Sequence, residues 1–313
     1  MFFSLLYIDK TKRASVNLSM RESDALQIYI ADAITCSRSF RAKGIDFGLI
    51  SNVPEWIENQ IKQHCGDNIP VLAGEFCRDV PPSVQFYPAH FKLDVFRSFG
   101  DGKFGNRIGL VDVDTVLLRS FSDQLLCEDA LYVYDLTQEA VASTDQEIIK
   151  RDLSLLTKAK EEACWYGGEF IYGPASSFRV LSMAVEEVWP QYLANWRNLH
   201  HTGDEMVTSA AIAIIRRSGL RIIDVGRSNT VRRWWSARTL QPQIALSKAL
   251  TTSLLHLPSD KYFLADMSRQ DFDPNKFLIE YEAYVRWKSI LRKVLCAVDS
   301  VTFRRRKFAP TLT

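Results

Sequence analysis

The sequence holds no Cys-x-x-Cys pair: its six cysteines, at 36, 65, 77, 127, 164 and 296, are scattered through 313 residues. That spacing excludes a zinc ribbon and a dithiol redox motif. Several of the cysteines sit inside apolar or helical patterns, which suits reduced core thiols in a cytoplasmic compartment. No run reaches the roughly 20 apolar residues that a membrane-spanning helix needs. The opening Met1-Phe-Phe-Ser-Leu-Leu-Tyr-Ile-Asp9 is apolar but has no basic segment and no small-residue cleavage site. It reads as a first strand rather than a signal peptide. There is no internal repeat and no low-complexity tract. The net charge is only +2, so no overall basic field marks the chain for nucleic acid. No Gly-x-Gly-x-x-Gly follows the first strand, and no Gly-x-x-x-x-Gly-Lys-Ser/Thr occurs. A nucleotide bound here would be held through metal and side chains rather than by a glycine cradle.

What is present is an ordinary globular balance, 47% hydrophobic and 24% charged, sufficient for a substantial core. Residues 2–8 read as a strand ending at Asp9. Leu26, Tyr29, Ile30, Ala33 and Ile34 recur at helical spacing over residues 22–41, and Gly44 stops that helix. A strand over 46–50 ends in Ser51-Asn52, and a helix over 54–65 opens on proline. A strand over 69–73 and a helix over 87–99 follow. Strand and helix alternate, which implies an α/β fold with a mostly parallel, doubly wound sheet and helices on both faces. Ligands in such sheets bind beyond the carboxyl ends of the strands. Asp9, Ser51, Asn52, Asp112 and Asp114 all fall at such ends.

The chain is organised around Arg107-Ile-Gly-Leu-Val-Asp-Val-Asp-Thr-Val-Leu-Leu118. This apolar run reads as one buried strand, and in a strand Asp112 and Asp114 share a face. Two neighbouring carboxylates in an apolar setting require positive compensation. A hard divalent cation, Mg²⁺ or Mn²⁺, supplies it and completes its shell with phosphate oxygens. The alternative is a strand end with two solvated acids.

Further along, residues 131–136 form a strand, and 144–164 read as a polar helix or loop placed as a flap over the site. Gly167-Gly168 before Glu-Phe-Ile-Tyr is either a plain hairpin or bulge, or a place where backbone approaches a ligand. Helices follow over 178–193 and 202–215. The second opens with Asp204 and Glu205, which serve either the helix dipole or chemistry. Residues 221–225 form a short strand, and Arg232-Arg-Trp-Trp235 is a basic, aromatic cluster. His256 lies in an apolar run before Pro-Ser-Asp-Lys261, as either a core group or a ligand.

These pieces together resemble a known family. Tyr-Pro-Ala-His-Phe-Lys-Leu-Asp-Val-Phe followed by the Asp-x-Asp run is similar to the donor-binding half of GT-A fold (Rossmann-like) glycosyltransferases, in particular retaining families 8 and 6. Trp-Tyr-Gly-Gly-Glu-Phe-Ile-Tyr-Gly resembles their Gly-Gly-x-Phe strand, and His-Thr-Gly-Asp-Glu-Met-Val-Thr resembles their acidic helix start. His256 with Lys261 resembles the His…Lys ending of family 8, although the glycine between the two is missing and the spacing is one residue shorter. The resemblance covers residues 1–265, the expected catalytic domain. It implies Mn²⁺ or Mg²⁺ on Asp112, Asp114 and His256, bridging the diphosphate of a nucleotide-sugar, in particular a UDP-sugar. It further implies donor contacts from Lys92 and Lys261, Asp9 near the base or ribose, Gly167 and Gly168 under the sugar, and Asp204 or Glu205 at the reacting carbon. The acceptor would be a saccharide or lipid-linked glycan hydroxyl, as in surface polysaccharide synthesis.

Residues 266–313 read as a C-terminal basic helical tail. Phe277, Leu278, Tyr281, Tyr284, Val285, Trp287, Ile290 and Leu291 alternate with Arg286, Lys288, Arg292 and Lys293, and Arg304-Arg-Arg-Lys307 follows. Such a helix suits an anionic membrane surface, here the cytoplasmic face, or else packs on the catalytic domain. Two other functions fit a fold of this class: a sugar nucleotidyltransferase, which usually carries a glycine-rich basic loop absent here, and a non-catalytic glycan binder.

Overall fold

The computed structural model describes residues 1–9, 22–122, 127–237, 239 and 242–307. In chain order its elements are β1 (Phe2–Leu5), α1 (Glu22–Arg41), β2 (Phe47–Ser51), α2 (Pro54–Cys65) and β3 (Val71–Ala73). A short 3₁₀ turn (Tyr87–Phe91) leads into α3 (Lys92–Gly100), followed by β4 (Arg107–Val111), β5 (Thr115–Leu117) and β6 (Leu131–Asp135). Next come α4 (Thr137–Ser143), α5 (Gln146–Thr157), β7 (Tyr166–Pro174), α6 (Ala175–Asn195) and α7 (Asp204–Arg217). The last are β8 (Ile222–Asp224), β9 (Val231–Arg233), α8 (Leu246–Ala249), β10 (Leu254–His256), α9 (Lys261–Met267) and α10 (Pro274–Lys307).

Seven strands form one sheet in the order β3-β2-β1-β4-β7-β6-β8. β3, β2, β1 and β4 are mutually parallel, as are β6 and β8, whereas β7 runs antiparallel to both its neighbours. The α/β class and the mostly parallel sheet are as the sequence pattern implied. Alternation along β1 places helices on both faces: Phe2 turns its ring to Phe40 of α1 at 5.3 Å, and Phe3 turns to Phe99 of α3 at 5.8 Å. Helix α1 forms because Ile30, Ala33 and Ile34 make a fully buried stripe. Gly44, at φ +69°, then reverses the chain where a side chain would be strained. Helix α2 starts on Pro54 and ends at Gly66 in the left-handed region, whose N–H caps Lys62 O.

Two expectations require correction. The run 107–118 is not one strand: β4 ends at Val111, residues 112–114 turn, and β5 belongs to a second sheet of order β5-β10-β9. Residues 144–164 are no flap. Asp145 caps α5 by accepting from Glu147 N at 2.9 Å, and Ile149, Leu153 and Leu156 are buried as α5 packs on α6 and α7. The period of those apolar residues is helical, and burying them holds the segment in place.

The polypeptide divides into Met1–Phe272 and Asp273–Thr313. Helix α9 spans residue 265 and is joined to α1 by Thr35 Oγ1 donating to Leu264 O at 2.8 Å. The second unit is built on α10, along which Ile279, Trp287, Ile290 and Leu291 are exposed. No described helix is long and apolar enough to cross a membrane.

Candidate functional site

Asp112 and Asp114 converge because the chain leaves one sheet and enters another between them. Asp112 N donates to Glu169 O at 3.3 Å, which fixes it to the start of β7. Thr115 then pairs with His256 across β5 and β10, and Leu257 N donates to Asp114 O at 3.0 Å. His256 Nε2 thereby lies 3.1 Å from Asp114 Oδ1 and 4.0 Å from Asp112 Oδ2. One ligand atom from each of Asp112, Asp114 and His256 can be chosen so that all three lie within 4.8 Å of one another.

Two lysines reach the same carboxylates. Lys92, the first residue of α3, places Nζ 2.6 Å from Asp112 Oδ1 and 3.3 Å from Asp204 Oδ2, and donates to Gly168 O at 2.9 Å. Lys261, at the start of α9, donates to Asp114 Oδ2 and to Pro258 O, the latter at 3.1 Å. Burial opposes the charge on each lysine, but the adjoining carboxylates outweigh it and hold both ammonium groups above their ordinary range. Burial likewise pushes both acids up. Lys92 does not fully offset it at Asp112, which stays raised, whereas Lys261 and His256 together hold Asp114 well below the usual carboxylate range. One Asp-x-Asp motif thus contains two unlike carboxyls. Burial would lower His256, but Asp114 and Glu169 raise it to about 9.

A second layer lies behind. Glu169, wholly buried in β7, accepts from Arg233 Nε at 2.8 Å and Nη2 at 2.6 Å, and pairs with His256 Nδ1 at 3.3 Å. Arg233 Nη2 also donates to Glu205 Oε1. Glu205 accepts in addition from Gly168 N at 3.1 Å and from Trp165 Nε1 at 2.9 Å. Burial pushes Glu205 up, and Arg233 together with His201 and the Gly168 N–H outweighs it, leaving the carboxyl low. Gly168 leaves room for an ion pair: a Cβ there would meet Asp204 Oδ2 at 2.8 Å and Lys92 Nζ at 3.0 Å and would displace the ends of those side chains.

The donor set fits a hard divalent cation. Among the described residues, Asp112, Asp114, Glu169, Asp204 and Glu205 are ion-paired with three fixed cations, Lys92, Arg233 and Lys261. With His256 neutral, five negative charges against three positive ones leave −2, the charge that one divalent ion would neutralise. Two carboxylates and an imidazole could hold a divalent cation.

The structure brings together Lys92, Asp112, Asp114, Gly168, Asp204, Glu205, His256 and Lys261 from the sequence-derived set. Gly167 adjoins them, and a Cβ there would collide with the Glu169 carboxylate. Ser51 and Asn52 have other partners. Asn52 clasps the backbone of Ile8 in both directions, at 2.9 and 2.8 Å, and Ser51 Oγ accepts from Val53 N at 3.1 Å. They hold the loop that carries Asp9, whose charge acts on the Tyr7 hydroxyl. Sequence reasoning missed Glu169 and Arg233 as site residues. Glu169 is a charge inside an apolar strand, which demands a partner but does not name it, and Arg233 stood in the basic, aromatic cluster 232–235 with nothing local to pair it with Glu169.

No protein-family model matches the sequence, and no curated relative matches it. Among solved structures, the chain is similar to the apo structure of WbbM, a bifunctional glycosyltransferase, with a TM-score of 0.47 and 8% identity. The match covers 82% of this chain and 45% of that one, so the chain spans less than half the length of that structure.

Proposed function

We propose that residues 1–272 form a GT-A type, metal-dependent glycosyltransferase that moves a sugar from a nucleotide-sugar, in particular a UDP-sugar, to a saccharide or lipid-linked glycan hydroxyl. The observation that carries this reading is the convergence of Asp112, Asp114 and His256 beside Lys92, Gly168 and Asp204. It joins a candidate cation-binding triad to a carboxylate, Asp204, that this reading assigns to the reacting centre. Asp112, Asp114 and His256 would hold Mn²⁺ or Mg²⁺, which when bound supplies Lewis-acid stabilisation of a departing nucleoside diphosphate. Lys92 and Lys261 bring positive charge to the same place and suit phosphate oxygens. Asp9 is assigned to the nucleoside end of the donor. Gly167 and Gly168 keep side chains out of the space assigned to the sugar. Glu205 is saturated by Gly168, Trp165 and Arg233, so its role is to hold the Gly168 backbone. Asp204, ion-paired only with Lys92 among the contacts described above, is the carboxylate assigned to the reacting centre. A paired carboxylate suits stabilisation of an oxocarbenium-like state better than proton abstraction, which favours transfer with retention.

The exposed Ile279, Trp287, Ile290 and Leu291 of α10, with Arg286, Lys288, Arg292 and Lys293 interleaved, support attachment of the tail to an anionic membrane at the cytoplasmic face. That assignment falls if deleting residues 275–313 leaves vesicle binding unchanged. The catalytic reading is tested by calorimetric titration of UDP and GDP, with and without Mn²⁺, on wild type and Asp114→Ala. Metal-dependent UDP binding that disappears in the variant supports it. Metal-dependent binding of GDP alone replaces the donor, and binding of neither nucleotide refutes the reading.

A further inference from the structure

Resting on the transferase reading above, we infer that His201, clamped by the rings of Phe86 and Trp165, is the acceptor-side contact and hydrogen-bonds a saccharide hydroxyl beside Asp204. Three histidines lie in this corner of the first unit, and two have polar partners. His90 is wholly buried, with Nδ1 3.2 Å from Phe86 O and Nε2 2.8 Å from Tyr192 Oη. His200 places Nδ1 2.8 Å from Asp152 Oδ2. His201 is half-buried, and among the described residues its ring nitrogens make no hydrogen bond; its ring lies among other rings instead. An imidazole that serves only as packing takes partners, as His90 does, because polar atoms withdrawn from water are costly without them. Burial holds His201 below the ordinary histidine value, although Glu205 and Asp204 act to raise it. The neutral ring offers one N–H donor and one lone pair, the same pair of functions that a hydroxyl carries.

Two rings and a glycine set the imidazole in place. Phe86 stacks against it at 5.8 Å and 25°, and Trp165 meets it edge-on at 5.2 Å and 89°. Each ring is itself fixed. Trp165 Nε1 donates to Glu205 Oε2 at 2.9 Å. Phe86 sits in the left-handed region, at φ 57° and ψ 33°, which a bulky residue keeps only where its surroundings enforce it. Here its carbonyl accepts from Ala89 N at 2.9 Å and lies against His90. From Phe86 the 3₁₀ turn runs directly to Lys92, the lysine shared by Asp112 and Asp204. On the other side, Gly203 immediately precedes Asp204, and a Cβ there would lie 2.6 Å from His201 Nε2 and 3.3 Å from Phe86 Cδ2. His201 Nε2 thus stands over the residue that leads into the carboxylate assigned to the reacting centre. An aromatic cluster explains the three rings but not a polar edge kept among them without a partner. A saccharide hydroxyl, which the transfer must bring to Asp204, supplies that partner. The histidine orients the hydroxyl, and no proton transfer is assigned to it.

The probes are the methyl glycosides of glucose, galactose and mannose, standing for the terminal sugar of an acceptor. Each is titrated, with UDP and Mg²⁺ present, into full-length protein labelled with ¹⁵N at histidine, and its dissociation constant is measured by calorimetry. His201→Phe keeps a ring of similar volume and removes both nitrogens, whereas His201→Gln keeps one donor and one acceptor. At least one glycoside should move the ring-nitrogen signals of wild type that either variant lacks. Its dissociation constant should rise about tenfold in His201→Phe, the loss of one hydrogen bond, and return most of the way in His201→Gln. A packing role would shift the unfolding midpoint of His201→Phe and leave glycoside affinity alone. The inference is overturned if no glycoside moves those signals, or if His201→Phe binds the glycoside within twofold of wild type. The wild-type titration decides even if His201→Phe does not fold, since His201→Gln also identifies the signals. UDP binding is scored separately. Nucleotide bound with no glycoside effect at His201 overturns this inference alone, and a glycoside effect without nucleotide binding refutes the transferase reading while the saccharide contact stands.

Discussion

Replacing Lys92 with methionine keeps most of the side-chain volume and removes the charge that holds Asp112 and Asp204 together. Its Nζ is 2.6 Å from one carboxylate and 3.3 Å from the other, and it donates at 2.9 Å to Gly168 O, all in a buried setting. Removing one partner of a buried pair strands the other, at a cost of about 3–5 kcal/mol. For a unit of this size that lowers the thermal midpoint by roughly 5–9 °C. The variant also leaves five carboxylates facing two fixed cations, so an added divalent ion should recover part of the loss. At one hundred times its dissociation constant a bound ion contributes about 2.7 kcal/mol. The gain should be larger in Lys92→Met than in wild type at equal Mn²⁺, because the lysine no longer competes for Asp112. Thermal unfolding of both proteins over a Mn²⁺ series measures this. A metal-free midpoint within about 1 °C of wild type, or a smaller Mn²⁺ gain in the variant, would refute the reasoning.

Other expectations concern protons and space. Burial would lower His256, but Asp114 and Glu169 raise it from 6.5 to about 9. Its contribution to metal-free stability is therefore full below pH 6.5 and lost as pH rises through about 9. Mn²⁺ affinity should run the opposite way, climbing with pH up to that value with one proton released per ion, as calorimetry in buffers of different ionisation enthalpy would show. Gly168→Ala should separate Lys92 from Asp204 and cost about 1–3 kcal/mol, with donor turnover falling further than the unfolding midpoint; unchanged turnover would contradict the assignment. Asp32 is buried with neither carboxylate oxygen hydrogen-bonded among the described residues, and burial raises its pKa well above 3.8. The folded chain holds a proton there that the unfolded chain releases, so stability drains as pH rises above that value. Asp32→Asn should be more stable than wild type by about 1–3 kcal/mol at pH 8, with a gain that shrinks toward pH 4; a variant less stable at pH 8 would sink this account.

The parts legible in the sequence were those with local causes. Helices α1 and α2 follow from an apolar stripe and from proline and glycine punctuation, and the element order gives the sheet class. The Asp-x-Asp run shows where local pattern misleads. Val-Asp-Val-Asp-Thr-Val alternates like a strand, yet the two acids are neighbours because the chain turns between two sheets. The second sheet was hidden because its strands are three residues long and pair only with one another. Arg233 and Glu169 are 64 residues apart, and a charge in an apolar strand carries no address for its partner. Gly168 could be singled out by composition, but the reason for it, the nearness of Asp204 and Lys92, exists only in three dimensions.

The contact between Lys261 and Asp114 spans 147 residues, and this has a consequence for synthesis. A ribosome-bound chain can complete β4 and begin the large sheet long before β10 and α9 emerge. Until they do, Asp114 lacks His256 and Lys261. Closing so long a loop is slow relative to local helix formation. The triad is therefore among the last features of the first unit to mature, and a chain stopped short of residue 256 would leave Asp114 without either cationic partner while Asp112 keeps Lys92.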